Sequence, residues 1–570
     1  MRPLFMLKQL THRLNALIGP AALLGFFLLL LEHTGLMQTV PWLVPMAHLA
    51  VLSLFAADVL LNWITGRTGW RFFLTNGWEL IVFAPLIFAA IQPEETTLSM
   101  LLRQAAVVVI LLTRTHSLRR CIAWLALKPA QLLLMSFAGI IGVGTLLLLL
   151  PAATATGAHT DLSGALFTAT SATCVTGLTV YDTATHFTRF GQIIILLLIQ
   201  VGGLGIMTFS MSLALLMRRS VSMRNQSIMQ DVLDQDTLTS MRRLTGFIVL
   251  MTLFLEAAGA LALFFSWRTH FDTLTETAWV SLFHSISAFC NAGFSTFSAN
   301  LMPFQSHLAV NAIIGALIVL GGIGFVVIGD FHEALMKKLR RRRGPKHKFR
   351  IQSRLALTWT GGLIVAGTAL IYVLERGRLL NGLPTGEALL IALFQSVSTR
   401  TAGFNTCDIG ALHPSTLLIC IILMFIGACP GGTAGGIKVT TPAVLWSVIS
   451  AGFRRREEAE LYRRTVPVEV IQKAVMVLCS SLLLVCGGAV LLSISEQKDF
   501  LEVLFETVSA FGTVGLSTGL TPELSLPGRA LITLLMFIGR LGPLTIGFAF
   551  MLRDVRPAKY SYAEERIMIG

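Results

Sequence analysis

At 570 residues, 54% hydrophobic and 13% charged, with a mean hydropathy of +0.74, the chain is too apolar for a soluble protein, in which about a quarter of residues are charged. Its net charge of +14 would suit nucleic acid, but the Lys and Arg residues fall in short loops between apolar segments. That distribution marks the inner side of a membrane and excludes nucleic acid as the partner. The eight cysteines keep neither metal-ligand spacing nor a paired framework.

Residues 1–127 form an N-terminal extension with apolar segments at about 15–31, 41–64, 78–91 and 98–113. Loop charges alternate as four spans require: Lys8, Arg13, Arg67 and Arg71 on one side, Glu94 and Glu95 on the other, Arg114 to Lys128 back on the first. The first apolar stretch is expected to be a retained helix, not a cleaved signal. The stretch RFFLTNGWELIVFAP is faintly like part of a voltage-sensor domain, but the fourth segment offers only Arg103 before Arg114. Voltage sensing needs several charges in the field. A structural four-helix extension is expected, with Asp58 and Glu79 as buried partners of Arg103 or Arg71.

The remainder repeats one motif: Leu-Phe, a small-residue stretch with Ser or Thr, then Gly and a bulky apolar residue. It reads LFTATSATCVTGL at 166–178, LFHSISAFCNAGF at 282–294, LFQSVSTRTAGF at 393–404 and LFETVSAFGTVGL at 504–516. Its Phe residues, at 167, 283, 394 and 505, are 116, 111 and 111 residues apart. A fixed period means an array of one unit. Here the unit is apolar helix, short amphipathic helix, Gly-containing loop, apolar helix. With their linkers the repeats occupy 128–243, 244–350, 351–467 and 468–570. The fold class is therefore all-α and polytopic, with twelve spans: four in the extension and eight in the repeats.

Non-helical backbone at membrane depth must be buried in protein or line a water-filled path. Four such loops can close around one axis, where carbonyls replace the hydration shell of a cation. Gly suits these loops because it tolerates positive φ. The C-terminal ends of the short helices would favour cations at the same place.

The inner helices are expected at Phe190–Met217, about 308–336, Ser415–Ile449 and Arg529–Leu552. The third contains GACPGGTAGG at 427–436, and five glycines with a proline cannot sustain a continuous helix. This break should line the path. Lys438 either repels cations near it or anchors the helix at the interface. Arg540 lies inside the fourth inner helix, where an Arg costs about 2.5–3.5 kcal/mol on insertion scales. It must face a cavity or a partner, as a cationic barrier or as a brace, and Glu506 is a candidate partner. The run KKLRRRRGPKHKFR at 337–350 reads as an inside stop touching anionic lipid, as a docking site for a cytosolic partner, or as both.

The motifs TCVTGL, NAGFST, RTAGFNT and GTVGLSTG resemble those of the Trk/Ktr/HKT superfamily of potassium transporters, over roughly Lys128 to Arg556. The resemblance implies a selectivity filter at Thr176, Gly177, Asn291, Ala292, Gly293, Thr401, Ala402, Gly403, Val514 and Gly515. Potassium would be bound at the four glycines. It implies a gate at Gly427, Pro430, Gly431, Gly432, Thr433, Ala434, Gly435, Gly436 and Lys438, with Arg540 facing the pore. It implies potassium as substrate, a homodimer, and a separate cytosolic ring of nucleotide-binding subunits, with no nucleotide bound by this chain. The expected place is the bacterial plasma (inner) membrane, with both termini cytoplasmic. No phosphate loop, paired-carboxylate motif or metal cluster points to an enzyme. The alternatives are a symporter coupling potassium to sodium or protons, and a sensor-gated cation channel.

Overall fold

The computed structural model describes residues 46, 49–57, 129–155, 160–216, 238–339 and 349–550. The expectations for Asp58, Glu79, Arg71 and Arg103, most of the basic run at 337–350, and the C-terminal tail lie outside the described residues.

The first repeat comprises an outer helix α1 (Pro129–Leu148), a pore helix α2 (Leu162–Thr173) and an inner helix α3 (Arg189–Leu216). The second comprises α4 (Leu238–Trp267), α5 (Leu274–Phe289) and an inner pair, α6 (Leu308–Gly322) and α7 (Phe325–Leu339). The third comprises α8 (Ile351–Glu375), α9 (Thr385–Ser398), α10 (Pro414–Phe425) and α11 (Thr440–Phe453). A two-residue hairpin, β1 (Glu460–Leu461) with β2 (Arg464–Thr465), leads to the fourth. That repeat comprises α12 (Val468–Glu496), α13 (Phe500–Gly512), α14 (Leu526–Leu541) and α15 (Pro543–Phe550).

Among the described residues the outer helices α1, α4, α8 and α12 are each long and apolar enough to cross a membrane, and two bent inner pairs, each taken as one span, raise the number to six. On α4, Leu250, Phe254, Leu261 and Phe265 form an exposed apolar stripe at helical spacing. Water would penalise such a stripe, whereas lipid would not.

Two inner helices depart from the continuous course expected of them. In the second repeat, α6 and α7 meet at a bend of 102°, where Gly324 takes φ +94°. In the fourth, α14 and α15 meet at 92°, where Gly542 takes φ +84° ahead of Pro543. A left-handed Gly ends a helix at little cost, and Pro at N1 starts the next. The first inner helix runs unbroken through Gly205.

The repeated Phe is the anchor of each unit: Phe167, Phe283, Phe394 and Phe505 are all buried, as are Leu178, Phe294, Phe404 and Leu516 after the loop glycines. In a membrane such side chains hold the units together by close packing more than by escape from water. Polar contacts join neighbouring repeats at the rim. Trp279 donates to the Gln192 carboxamide at 3.0 Å, Leu301 N to Asn405 O at 3.1 Å, and the Arg529 guanidinium reaches Ser163 Oγ at 3.4 Å.

Candidate functional site

The four loops meet. An ideal Cβ on Gly293 would lie 2.8 Å from Ala402 O, and one on Gly403 would lie 2.6 Å from Val514 O. A Cβ on Gly177 would strike Ala292 O, and one on Gly515 would strike Thr176 O. Each glycine is thus covered by the residue before the next repeat's glycine, in chain order, and the fourth returns to the first. All four take positive φ, between +70° and +94°. The residue two before each, Val175, Asn291, Thr401 or Thr513, is also left-handed. A side chain at any of the four would suffer both backbone strain and collision.

One serine, four residues beyond the repeated Phe, holds each loop. Ser171 Oγ accepts from Gly177 N at 3.0 Å and Ser509 Oγ from Gly515 N at 3.2 Å. Ser287 Oγ donates to Phe294 O at 2.7 Å, and Ser398 Oγ donates to Phe404 O. Backbone N–H groups of Thr176, Ala292, Ala402 and Val514 bond back to the same serines' carbonyls at 2.7–3.0 Å. These serines were not singled out from the sequence, although a Ser at one offset in four copies was visible there. Around the loops, the hydroxyls of Thr173, Thr176, Thr401 and Thr513 are buried without protein partners.

The 427–436 segment crosses beneath this ring. Its ends pair as a parallel bridge, Ile426 with Ile437. Cys429 N donates to Gly322 O at 3.0 Å, Thr433 N to Gly321 O at 3.1 Å, and Phe325 N returns a bond to Gly431 O at 3.0 Å. The bend in the second inner helix therefore supplies the groups that the broken third helix needs. Thr433 Oγ1 donates to Phe289 O at 3.2 Å, at the end of α5. On the far side, a Cβ on Gly436 would lie 3.2 Å from Gly512, and one on Gly435 would strike Thr513. A Cβ on Gly324 would lie 2.6 Å from Pro430 O, and one on Gly432 2.8 Å from Gly322 O. The segment touches the second and fourth repeats and leaves no space for larger residues.

Arg540 is buried and donates to Thr433 O in the segment and to Gly202 O on α3. It ties the fourth inner helix, the segment and the first inner helix together. The expected pairing of Arg540 with Glu506 does not form. Glu506 instead accepts from Ser517 Oγ, from Thr518 N at 3.1 Å and from Thr521 Oγ1 at 2.8 Å. It fixes the chain just after the fourth loop. The mismatch has a physical reason: a guanidinium is satisfied by carbonyls that a broken helix leaves open, and no carboxylate is required.

Lys438 turns into the segment, its ammonium donating to Ala434 O at 2.5 Å and Gly435 O at 3.4 Å. The interfacial anchor expected as one alternative is not what this side chain does. Cys174 and Cys290 cap α2 and α5 at equivalent places and are fully buried. Behind Cys290, the buried carboxyl of Glu256 accepts from Gln200 Nε2 at 3.0 Å.

Known proteins are similar to this chain in sequence and in fold. The TrkH family, described as cation transport protein, matches residues 100–555. The chain is 39% identical over 447 residues to Ktr system potassium uptake protein B of Bacillus subtilis (strain 168), covering 78% of this chain and 98% of that protein. The protein of the same name from Vibrio alginolyticus is 39% identical over 442 residues, covering 77% of this chain and 94% of that protein. Potassium/sodium uptake protein NtpJ of Enterococcus hirae is 35% identical over 451 residues, covering 78% and 98%. The crystal structure of the potassium transporter TrkH from Vibrio parahaemolyticus superposes with a TM-score of 0.62 at 18% identity, covering 84% of this chain and 97% of that one.

Proposed function

The chain belongs to the TrkH family of cation transport proteins, and we propose that it is the pore-forming subunit of a bacterial potassium uptake system. It is a transporter, not an enzyme. Potassium would pass through the ring of Gly177, Gly293, Gly403 and Gly515, with the 427–436 segment as the gate beneath.

The observation that carries this reading is the closure of the ring. Four tightly packed loops, each stripped of a side chain where it meets its neighbour, leave carbonyls as the polar lining. A dehydrated cation needs such oxygens in place of water. The pore helices direct their C-terminal ends to the same region, which favours positive charge there. The segment below then sets whether an ion leaves. Thr433 and the glycines around it form a thin barrier that a small backbone movement would clear, and Arg540 adds a positive charge at the same level.

Rubidium-86 uptake in a host that requires added potassium, with Gly177→Ser as comparison, tests the reading. Uptake by the native chain that exceeds the empty host, and loss of its preference over sodium in the variant, is the expected result. Native uptake at background would refute it.

A second reading is favoured by the name of the Enterococcus hirae relative, a potassium/sodium uptake protein: sodium as a second cargo or as a coupling ion. Reversal potentials under opposed sodium and potassium gradients separate the two. We further read the protein as a homodimer in the plasma membrane with cytoplasmic termini. The word "system" in two relatives' names supports a separate cytosolic regulatory subunit.

A further inference from the structure

In three repeats a glycine of the inner helix seats directly under the end of the pore helix. A Cβ on Gly202 would strike Thr173 O, one on Gly321 would strike Phe289 O, and one on Gly539 would strike Phe511 O. Thr173, Phe289 and Phe511 each stand six residues after the repeated Phe. The third repeat departs from this rule. Its corresponding glycine, Gly427, faces Gly435 O of its own segment, 2.6 Å from an ideal Cβ. The residue six after Phe394 is Arg400.

Arg400 is 5% exposed. Its Nη2 donates to Gly427 O at 3.3 Å, while its Nε has no partner. Among the described residues no carboxylate pairs with it. The guanidinium lines a small cavity of about 20 Å³, room for about one water, whose other walls include Ile318, Val319, Thr360, Ile364 and Ala428. A buried arginine without a counter-charge is costly, so a bland packing role accounts poorly for its presence.

We propose that Arg400 is a latch: a positioning residue that holds the near end of the 427–436 segment beneath the ring through Gly427 O. It does by a side-chain bond what backbone packing does in the other three repeats. Arg540 holds the middle of the same segment through Thr433 O. The two guanidinia reach it from different repeats. A single side-chain bond can break and reform without unpacking a helix from its neighbour. The third inner segment is thereby the one built to move. This inference rests on the reading of the segment as the gate.

The full-length protein decides it, as the native chain, Arg400→Gln and Arg400→Lys. Rubidium-86 uptake should rise in maximal rate about tenfold or more in the Gln variant, the scale of one lost charged hydrogen bond. The half-saturation concentration should stay within about twofold, and Lys should fall between native and Gln. An unchanged rate, or a lost preference for rubidium over sodium, would overturn the latch; the latter would place Arg400 in the ring itself. A second measurement is independent of transport. In purified protein carrying Thr433→Cys, a thiol reagent should modify residue 433 about tenfold faster when Arg400 is Gln, with Lys between native and Gln. Equal rates in all three backgrounds would also overturn it, and the Lys variant serves if Gln fails to assemble. Absence of native rubidium uptake would refute the potassium reading, while the modification rates would still judge the latch.

Discussion

Gly515 packs against the carbonyl of Thr176, so the last loop of the chain closes on the first. The contact repeats what Gly177 makes with Ala292, Gly293 with Ala402 and Gly403 with Val514. Gly515 takes φ +92°, where a side chain costs about 1–2 kcal/mol before any collision. Gly515→Ser should therefore displace Thr176 O and reduce the preference for rubidium over sodium by tenfold or more, since about 1.4 kcal/mol is a factor of ten. Competition of sodium against rubidium-86 uptake measures it.

The four serines divide into two kinds. Ser171 and Ser509 accept from the loop glycine, whereas Ser287 and Ser398 donate to the carbonyl of the following Phe. Ser509→Ala leaves Gly515 N without its partner, at a cost of about 1–3 kcal/mol. The expected outcome is a several-fold loss of selectivity in a protein that still assembles. Ser287→Ala should show a smaller loss, because it uncovers a carbonyl, Phe294 O, and leaves no loop N–H without its partner. Parallel uptake assays on the two variants distinguish them.

Removing the Arg540 guanidinium uncovers two carbonyls in different repeats, Thr433 O and Gly202 O. Hydrogen bonds from charged donors contribute about 1.5–3 kcal/mol each. Arg540→Gln should lower the thermal midpoint by several degrees and raise the basal flux. Flux that is unchanged beside lost stability would leave Arg540 as a brace alone.

Acid should loosen the outer face in two stages. Burial lowers the pKa of His186 below its usual 6.5, against the opposing pull of Asp161 and Asp182, and its ring stacks on Tyr181 at 4.0 Å. Burial acts to raise the pKa of Asp161, but hydrogen bonds from Ser163 and Tyr181, and the Arg529 charge, outweigh it, so the carboxyl is held below 3.8. Both groups bind protons more readily when unfolded. Stability is therefore complete above pH about 6.5, falls as His186 protonates, and falls again below about pH 4 as Asp161 does. Thermal unfolding across pH 3–8 should show both steps. His186→Asn should remove the first and Asp161→Asn the second.

Much of this architecture was legible from the period of the repeated Phe alone. Those four residues are buried and each sits on a pore helix, because one local pattern was written four times. The loop glycines were legible for the same reason. The bends at Gly324 and Gly542 were not. GGIGF and RLGPL read equally well as packing glycines in straight helices, and only contacts from another repeat, such as Phe325 N to Gly431 O, decide otherwise. Arg540 announced itself by its apolar surroundings, yet its partners are backbone carbonyls, which no side-chain pattern reveals. Arg400 escaped notice beside the filter motif. Aligning the position six after each Phe would have exposed it, as the one charge among Thr173, Phe289 and Phe511.

The first inner helix differs from the other three in running straight past Gly205. The quadrants of this pore are cousins and not copies. If the loops form the proposed pore, a permeating ion would meet one continuous wall, two bent ones and one interrupted wall, all encoded separately. A point mutation alters one quadrant and spares three, whereas in an assembly of four identical chains every change arrives four times over. Natural selection can thus adjust conductance and discrimination here in quarter steps, and gating can be assigned to one quarter while the others keep the ion's path intact.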